Sequence, residues 1–162
     1  MFIGAISDTH DHVPHIKQAV DIFRKRDVDL VVHAGDYCSP FTISHFEGLP
    51  FEGIFGNNDG DYFLLMQKFD AIDATIHGDF FEFNADSRML AVYHGTDQPI
   101  TDALINCGKY DVVISGHTHE PMNKKTNNTL ALNPGTAHGF DEKATIALLN
   151  TDNLQTEFVE LD

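Results

Sequence analysis

Five times along the chain, a short apolar run stops at a small or turn-forming residue and gives way at once to polar, metal-competent chemistry. Phe2 to Ile6 leads into "SDTH", Leu30 to Val32 into "HAGD", and Phe51 to Phe55 into "GNND". Met89 to Tyr93 leads into "HG", and Val112 to Ile114 into "SGHTH". Runs this short, apolar and bounded by turn residues predict buried strands. Helical spacing lies between them. In "HIKQAVDIFRKR", Ile16, Ala19, Val20 and Phe23 share one face, and Pro14 suits the first turn. "DYFLLMQKF" and "PITDALINCG" carry weaker helical patterns, the second closed by Gly108. Strand and helix in alternation predict an α/β fold with parallel strands, whose ligand sites lie at the carboxyl ends of the strands.

The pattern changes toward the end. "DFFEFNADSRMLAVYH" reads as a hairpin, and "TLALN", "ATIALLN" and "LQTEFVEL" read as strands joined by turns at "TNN" and "NTDN". The expectation is one domain over 1–162, α/β with a substantial antiparallel portion. Hydrophobic residues make up 42% of it, enough for a packed core. A formal net charge of −15 gives no attraction for long nucleic acid or an anionic membrane. The N-terminal "MFIGAISDTH" has no basic lead and only a short apolar run, so a cytoplasmic protein is expected, with Cys38 and Cys107 reduced.

The polar clusters supply the chemistry. In "SDTH", Asp8 and His10 are two residues apart, and at an extended strand end both would face one side, with Thr9 turned away. The same spacing joins His117 and His119 across Thr118. Asp36, Asn57 and His94 complete a set of seven groups, too many for one ion and suited to two cations sharing the Asp36 carboxylate. Mixed nitrogen and oxygen ligation favours Mn, with Fe, Zn or Ni as alternatives, over Mg alone. Taken singly, an Asp after a strand is more often a cap, and a buried His more often a core residue. Seven such groups at successive strand ends are poorly explained that way.

"SDTH", "HAGD", "GNND", "YHG" and "SGHTH", in this order, resemble the calcineurin-like metallophosphoesterases. The length and "NPGT" at Asn133 to Thr136 are similar to the small prokaryotic phosphodiesterase branch, which also includes a eukaryotic retromer scaffold subunit. The resemblance implies a four-layer α/β/β/α sandwich with mixed sheets. It implies one metal held by Asp8, His10, Asp36 and His119, and a second by Asp36, Asn57, His94 and His117. It also implies in-line attack on phosphorus by a hydroxide shared between the two metals.

One position departs. Many relatives have His after the ligand Asn as candidate general acid, and here Asn58 stands there. An amide can donate a hydrogen bond to a phosphoryl oxygen but cannot usefully protonate a leaving alkoxide. Asn58, with Asp59 to orient it or to cap the next segment, is the candidate catalytic pair. Asp11, His12 and Cys38 are candidates to support the ligands. His138, after "NPGT", could reach the site as an alternative proton donor, although a surface loop is its expected place; His15, His33, His45 and His77 are read as structural. Lys124 and Lys125 are read as a solvated hairpin. The expected activity is hydrolysis of a small phosphodiester. A non-catalytic scaffold and a phosphomonoesterase or nucleotidase are the alternatives. "DYFLLM" and "DFFEF" could be core, an interaction patch or a homo-oligomer contact.

Overall fold

The computed structural model describes residues 1–140 and 142–162. The first unit is strand β1 (Phe2–Ile6), helix α1 (Val13–Lys25) and strand β2 (Leu30–His33), followed by a 3₁₀ segment (Pro40–Phe46). Strand β3 (Phe51–Gly53), helix α2 (Tyr62–Asp70) and strands β4 (Thr75–Ile76), β5 (Phe80–Ala85) and β6 (Arg88–Tyr93) come next. Helix α3 (Gln98–Asn106) and strands β7 (Val112–Ile114), β8 (Met122–Thr126), β9 (Thr129–Asn133), β10 (Thr145–Asn150) and β11 (Gln155–Glu160) complete the described elements. The run from Phe51 is shorter than its apolar pattern suggested, because the chain leaves the ladder at Gly53 and the Phe55 amide bonds Gly78 O at 2.7 Å.

Two mixed sheets form, ordered β11-β10-β1-β2-β3-β4 and β5-β6-β7-β9-β8. β1, β2, β3 and β4 run parallel, as do β6, β7 and β9, while β10, β11, β5 and β8 add antiparallel edges. Alternation along the strands then decides the layers. Ile3, Ala5, Leu30, Val32, Ala147 and Leu149 face Leu90, Val92, Val112, Ile114 and Leu132 between the sheets. The opposite face of the first sheet, with Ile6, Val31, Ile146 and Leu148, packs on α1, α2 and the 3₁₀ segment through Ile16, Phe23, Phe46 and Phe69. Ala91 and Val113 on the outer face of the second sheet meet Leu104 and Ile105 of α3. This is the expected α/β/β/α sandwich. The resemblance implied it, and β1, β2 and β10 are apolar on both faces, as doubly covered strands must be.

α1 starts where Pro14 predicts it and buries Ile16, Ala19, Val20 and Phe23. α2 buries only Leu65 and Phe69 and leaves Tyr62, Phe63 and Met66 exposed. In "DFFEF", Phe81 is buried against the second sheet while Phe80 stays open. Every polar cluster at a strand's carboxyl end therefore opens at the same rim of the sandwich.

Candidate metal centre

The ligating side chains converge, but not by the pleat. β1 ends at Ile6 and β7 at Ile114, and the residues beyond curl into left-handed backbone. Asp8, His10, Asp36, His117 and His119 have φ of 53°, 38°, 64°, 66° and 64°. Asp and His tolerate that region better than most side chains, at about 1 kcal/mol or more each. The expectation that i and i+2 share a strand face is therefore replaced: tight turns, not extended backbone, bring each pair together. Thr9 and Thr118 do turn away. Thr9 Oγ1 lies 3.2 Å from His33 Nε2, and Thr118 Oγ1 accepts from Asn133 Nδ2 at 3.1 Å.

Two glycines make the turns fit. A Cβ on Gly116 would overlap Ser7 Oγ and come within 2.6 Å of Asp8 Oδ2. A Cβ on Gly56 would overlap Asp36 Oδ1 and come within 2.8 Å of its Cγ. The small residue in "SGH" and "FGN" is thus the space into which a neighbouring carboxylate is folded.

At one end of the centre, Asp8 Oδ2 accepts the His117 amide at 3.1 Å, which leaves Oδ1 facing inward. His119 Nε2 lies 3.3 Å from that oxygen and His10 Nε2 3.8 Å from it. Asp8 Oδ1 and His10 Nε2 are both buried without a hydrogen-bond partner among the described residues. Buried polar atoms left this way are costly, and a cation between them removes the cost. Burial alone would raise the Asp8 carboxyl, but His10 and His119 outweigh it and hold the group well below the usual carboxylate range.

At the other end, His94 Nδ1 donates to Ala34 O at 2.7 Å, which turns the Nε2 lone pair of the neutral ring toward two further acceptors. These are Asn57 Oδ1 at 3.0 Å and Asp36 Oδ2 at 3.4 Å. His117 Nδ1 is 2.9 Å from the same Asn57 oxygen. Lone pairs converging on one point require a proton or a cation there. Burial opposes charge on His94, yet Asp36 more than offsets it and the imidazole pKa is raised. His119 is raised too, chiefly by Asp8. Asp36 Oδ2 lies 3.4 Å from His10 Nε2 as well as from His94 Nε2, so one carboxylate oxygen sits between the two groups of ligands. The donor set fits two divalent cations of borderline hardness.

The residues around this centre divide differently from the sequence expectation. Asp59 neither orients Asn58 nor caps α2, whose cap is Asp61. It is 3% exposed, and its carboxylate accepts the amides of Gly56 at 2.7 Å, Cys38 at 2.8 Å and Asp36 at 3.0 Å. That ties the loop after β3 to the loop after β2, a positioning role away from the reacting atoms. Asn58 is exposed at the rim, but its Nδ2 donates to Asp36 Oδ2 at 2.7 Å and its amide to Oδ1 at 2.8 Å. Cys38 Sγ meets His10 Nδ1 at 3.3 Å; burial, then the surrounding carboxylates, push this thiol up to about 12. Asp11 binds Ser39, and His12 caps α1 against His15. His33 is fully buried, lowered to about 3 by desolvation, and lies beneath Thr9.

His138 reaches the centre, the alternative that the sequence reading placed second to a surface loop. It is 8% exposed, not on a surface loop, and its ring lies edge-on to His10 and His119 with centroids 4.6 and 4.8 Å away. Its backbone amide bonds Asp8 O at 3.1 Å, and the Ala137 amide bonds Ser7 O at 3.0 Å, so "TAH" is laced onto the first motif. The signal available was the "NPGT" turn immediately before it, which returns the chain to the rim. A cavity of about 620 Å³ lies between α3 and the outer face of the second sheet, lined by Gln98, Thr101, Ile105, Thr118, Lys124 and Ala131 among others, and none of the seven ligands lines it. Lys124 and Lys125 are exposed, as a solvated hairpin requires, but only Lys124 borders that cavity.

The model of the calcineurin-like phosphoesterase superfamily domain matches residues 1–154 of this chain. The chain belongs to that superfamily. It is 37% identical to a phosphodiesterase of Methanocaldococcus jannaschii over the full length of both chains. A solved archaeal phosphodiesterase superposes with a TM-score of 0.94 at 36% identity, covering 99% of this chain and 100% of that one. Zinc-complexed Vps29 of Entamoeba histolytica superposes with a TM-score of 0.73 at 18% identity over the full length of both, a likeness of fold alone. The phosphoesterase superfamily accounts for the two-sheet architecture and for the polar rim at the strand ends.

Proposed function

We propose that this calcineurin-like phosphoesterase hydrolyses a small phosphodiester with two divalent cations, Mn foremost, held by the seven converging ligands. The observation that carries the reading is the pair of buried orphans, Asp8 Oδ1 and His10 Nε2, together with Asp36 Oδ2 midway between His10 and His94. Asp8, His10, Asp36 and His119 would hold one cation; Asp36, Asn57, His94 and His117 the other. Two such cations lower the pKa of a shared water toward neutrality and offset charge on phosphoryl oxygens. The protein's own part is orientation. Ala34 O fixes the His94 tautomer, Cys38 contacts the His10 ring, and Asp59 holds the Asp36 and Gly56 loops in register. With −15 net charge, the chain itself repels an anionic substrate, so the cations are also what makes binding favourable.

The diester preference rests on the named archaeal relatives. The missing His at Asn58 leaves no strong proton donor at that position, so esters with phenolic leaving groups are expected to be cleaved much faster than alkyl ones. A cytoplasmic location belongs to the same proposal. The direct test is hydrolysis of bis-nitrophenyl phosphate by metal-stripped protein with Mn, Ni, Zn or Mg restored singly, and His117→Ala as control. Metal-dependent turnover lost in the variant supports the reading. Absence of turnover in a folded protein that binds two cations favours the second reading, a scaffold. The observation on that side is the exposed apolar group of Tyr62, Phe63 and Met66 on α2, which would also suit contact between copies of the chain.

A further inference from the structure

The chemistry of His138 is fixed by its neighbours. The Phe140 backbone N–H donates to His138 Nδ1 at 3.0 Å. A nitrogen that accepts carries no hydrogen, so in the neutral ring the hydrogen is on Nε2. That nitrogen is a donor with no hydrogen-bond partner among the described residues. It cannot serve as a metal ligand in this tautomer, because ligation needs the lone pair that the hydrogen occupies. Yet ring nitrogens of His10, His119 and His138 lie within 4.8 Å of one another. One ring nitrogen of His138 therefore lies beside the cation position of Asp8, His10 and His119, and the same ring carries a donor at Nε2 that the protein leaves free.

His138 Nε2 is not among the buried polar atoms that lack a partner, so this donor is open at the rim, where a ligand can reach it. The rim donor predicted from the sequence, the Asn58 amide, has one of its two Nδ2 hydrogens committed to Asp36 Oδ2 at 2.7 Å. The ring is also rigidly mounted. Thr136 Oγ1 donates to Asp8 O at 3.2 Å, the His138 amide bonds the same carbonyl at 3.1 Å, and Phe140 lies against the ring with centroids 4.4 Å apart. A preorganised donor of this kind loses little freedom when an anion arrives.

We propose that His138 is a substrate-binding residue of the phosphodiesterase: its Nε2–H donates to a non-bridging oxygen of the bound phosphoryl group. The inference rests on the phosphoesterase reading of the centre, and it assigns an anion contact to the "TAH" segment. Phosphate diesters, and the monoester or inorganic phosphate that resembles the product, are the ligand class.

The test uses inorganic phosphate, so that it needs no turnover. Calorimetry on the Mn-loaded protein measures Mn affinity and phosphate affinity for wild type, His138→Phe and His138→Gln. Loss of one hydrogen bond to a charged group predicts phosphate affinity about tenfold or more weaker in His138→Phe. Mn affinity should stay within about twofold, and His138→Gln, whose amide can donate, should recover part of the loss. In diester hydrolysis the same variant should raise KM more than it lowers kcat. Should His138→Phe not fold, nitrogen-15 spectra of the Zn-loaded wild type decide the matter: His138 should show hydrogen on Nε2, and that resonance should shift on adding phosphate. Unchanged phosphate affinity in a folded variant, or no Nε2 shift in the wild type, overturns the proposal. A tenfold loss of Mn affinity overturns it differently, by making His138 a ligand. A protein that binds phosphate through His138 yet cleaves no diester would instead remove the activity reading and leave this one standing.

Discussion

Gly116→Ala should damage the metal centre without adding any group that touches a cation. The new Cβ would overlap Ser7 Oγ, and it would stand 2.9 Å from Ser7 Cβ and 2.6 Å from Asp8 Oδ2. To restore ordinary contact, that carboxylate oxygen must recede by about 0.8 Å. Both Ser7 and Asp8 are fully buried, so neither can swing into solvent. Overpacking of this kind costs about 1–3 kcal/mol. Stretching the bond from the His117 amide to Asp8 Oδ2 adds about 1.5–3 kcal/mol, since the acceptor is charged. The sum, about 2.5–6 kcal/mol, is a large share of a total stability of about 5–15 kcal/mol, so the variant should melt roughly 5–20 °C lower. Asp8 Oδ1 moves with its partner oxygen, so Mn affinity should fall about tenfold or more. Urea unfolding of the metal-free protein and calorimetric Mn titration read the two effects separately. Ser7→Gly in the same chain removes both Ser7 clashes but not the one with Asp8, so it should return part of the stability and none of the Mn affinity. Gly116→Ala within about 0.5 kcal/mol of wild type, with unchanged Mn affinity, would refute the reasoning.

Asp59→Asn should cost about 1–3 kcal/mol, because an amide nitrogen would face one of the three backbone N–H groups its carboxylate now accepts; urea unfolding measures it. Metal-free and metal-loaded protein should respond oppositely to pH. His94 and His119, raised above 6.5 in the metal-free protein, contribute stability that is fully present below that value and is lost as pH rises through their raised pKa values. Protons compete with cations for the same nitrogens, so Mn affinity should climb through that same window; thermal melts and Mn titrations from pH 6 to pH 9, roughly the imidazole range and above, test both slopes. Iodoacetamide at mildly alkaline pH should label exposed Cys107 quickly and Cys38 slowly, since the Cys38 thiol is pushed up to about 12; mass spectrometry of the peptides shows the order.

The α/β class was legible because strands covered on both faces leave an unbroken apolar trace, and because β1, β2, β3, β6 and β7 each end in a turn carrying ligands; the four-layer stacking came from the resemblance those turns carry. β8 left no such trace: "MNKKT" is polar and lies at a sheet edge with three of its five residues exposed. The ligand types were legible and their geometry was not. Periodicity describes extended or helical backbone, and Asp8, His10, Asp36, His117 and His119 adopt neither. Asp59 and His138 were misplaced for a related reason. Their roles are set by backbone amides from segments distant in the chain, Cys38 and Asp36 for one, and the Asp8 carbonyl for the other. No local pattern encodes such contacts. Their trace in the sequence is indirect, in the "GNND" and "NPGT" turns that deliver each residue to the rim.

The most direct test of the two-cation reading is activity against bis-nitrophenyl phosphate as Mn is titrated into metal-stripped protein, with bound Mn counted at each point. Turnover that stays near zero until the first equivalent is bound and reaches its plateau at two per chain is the result expected. Full turnover at one equivalent, or a chain that never binds a second, would contradict it.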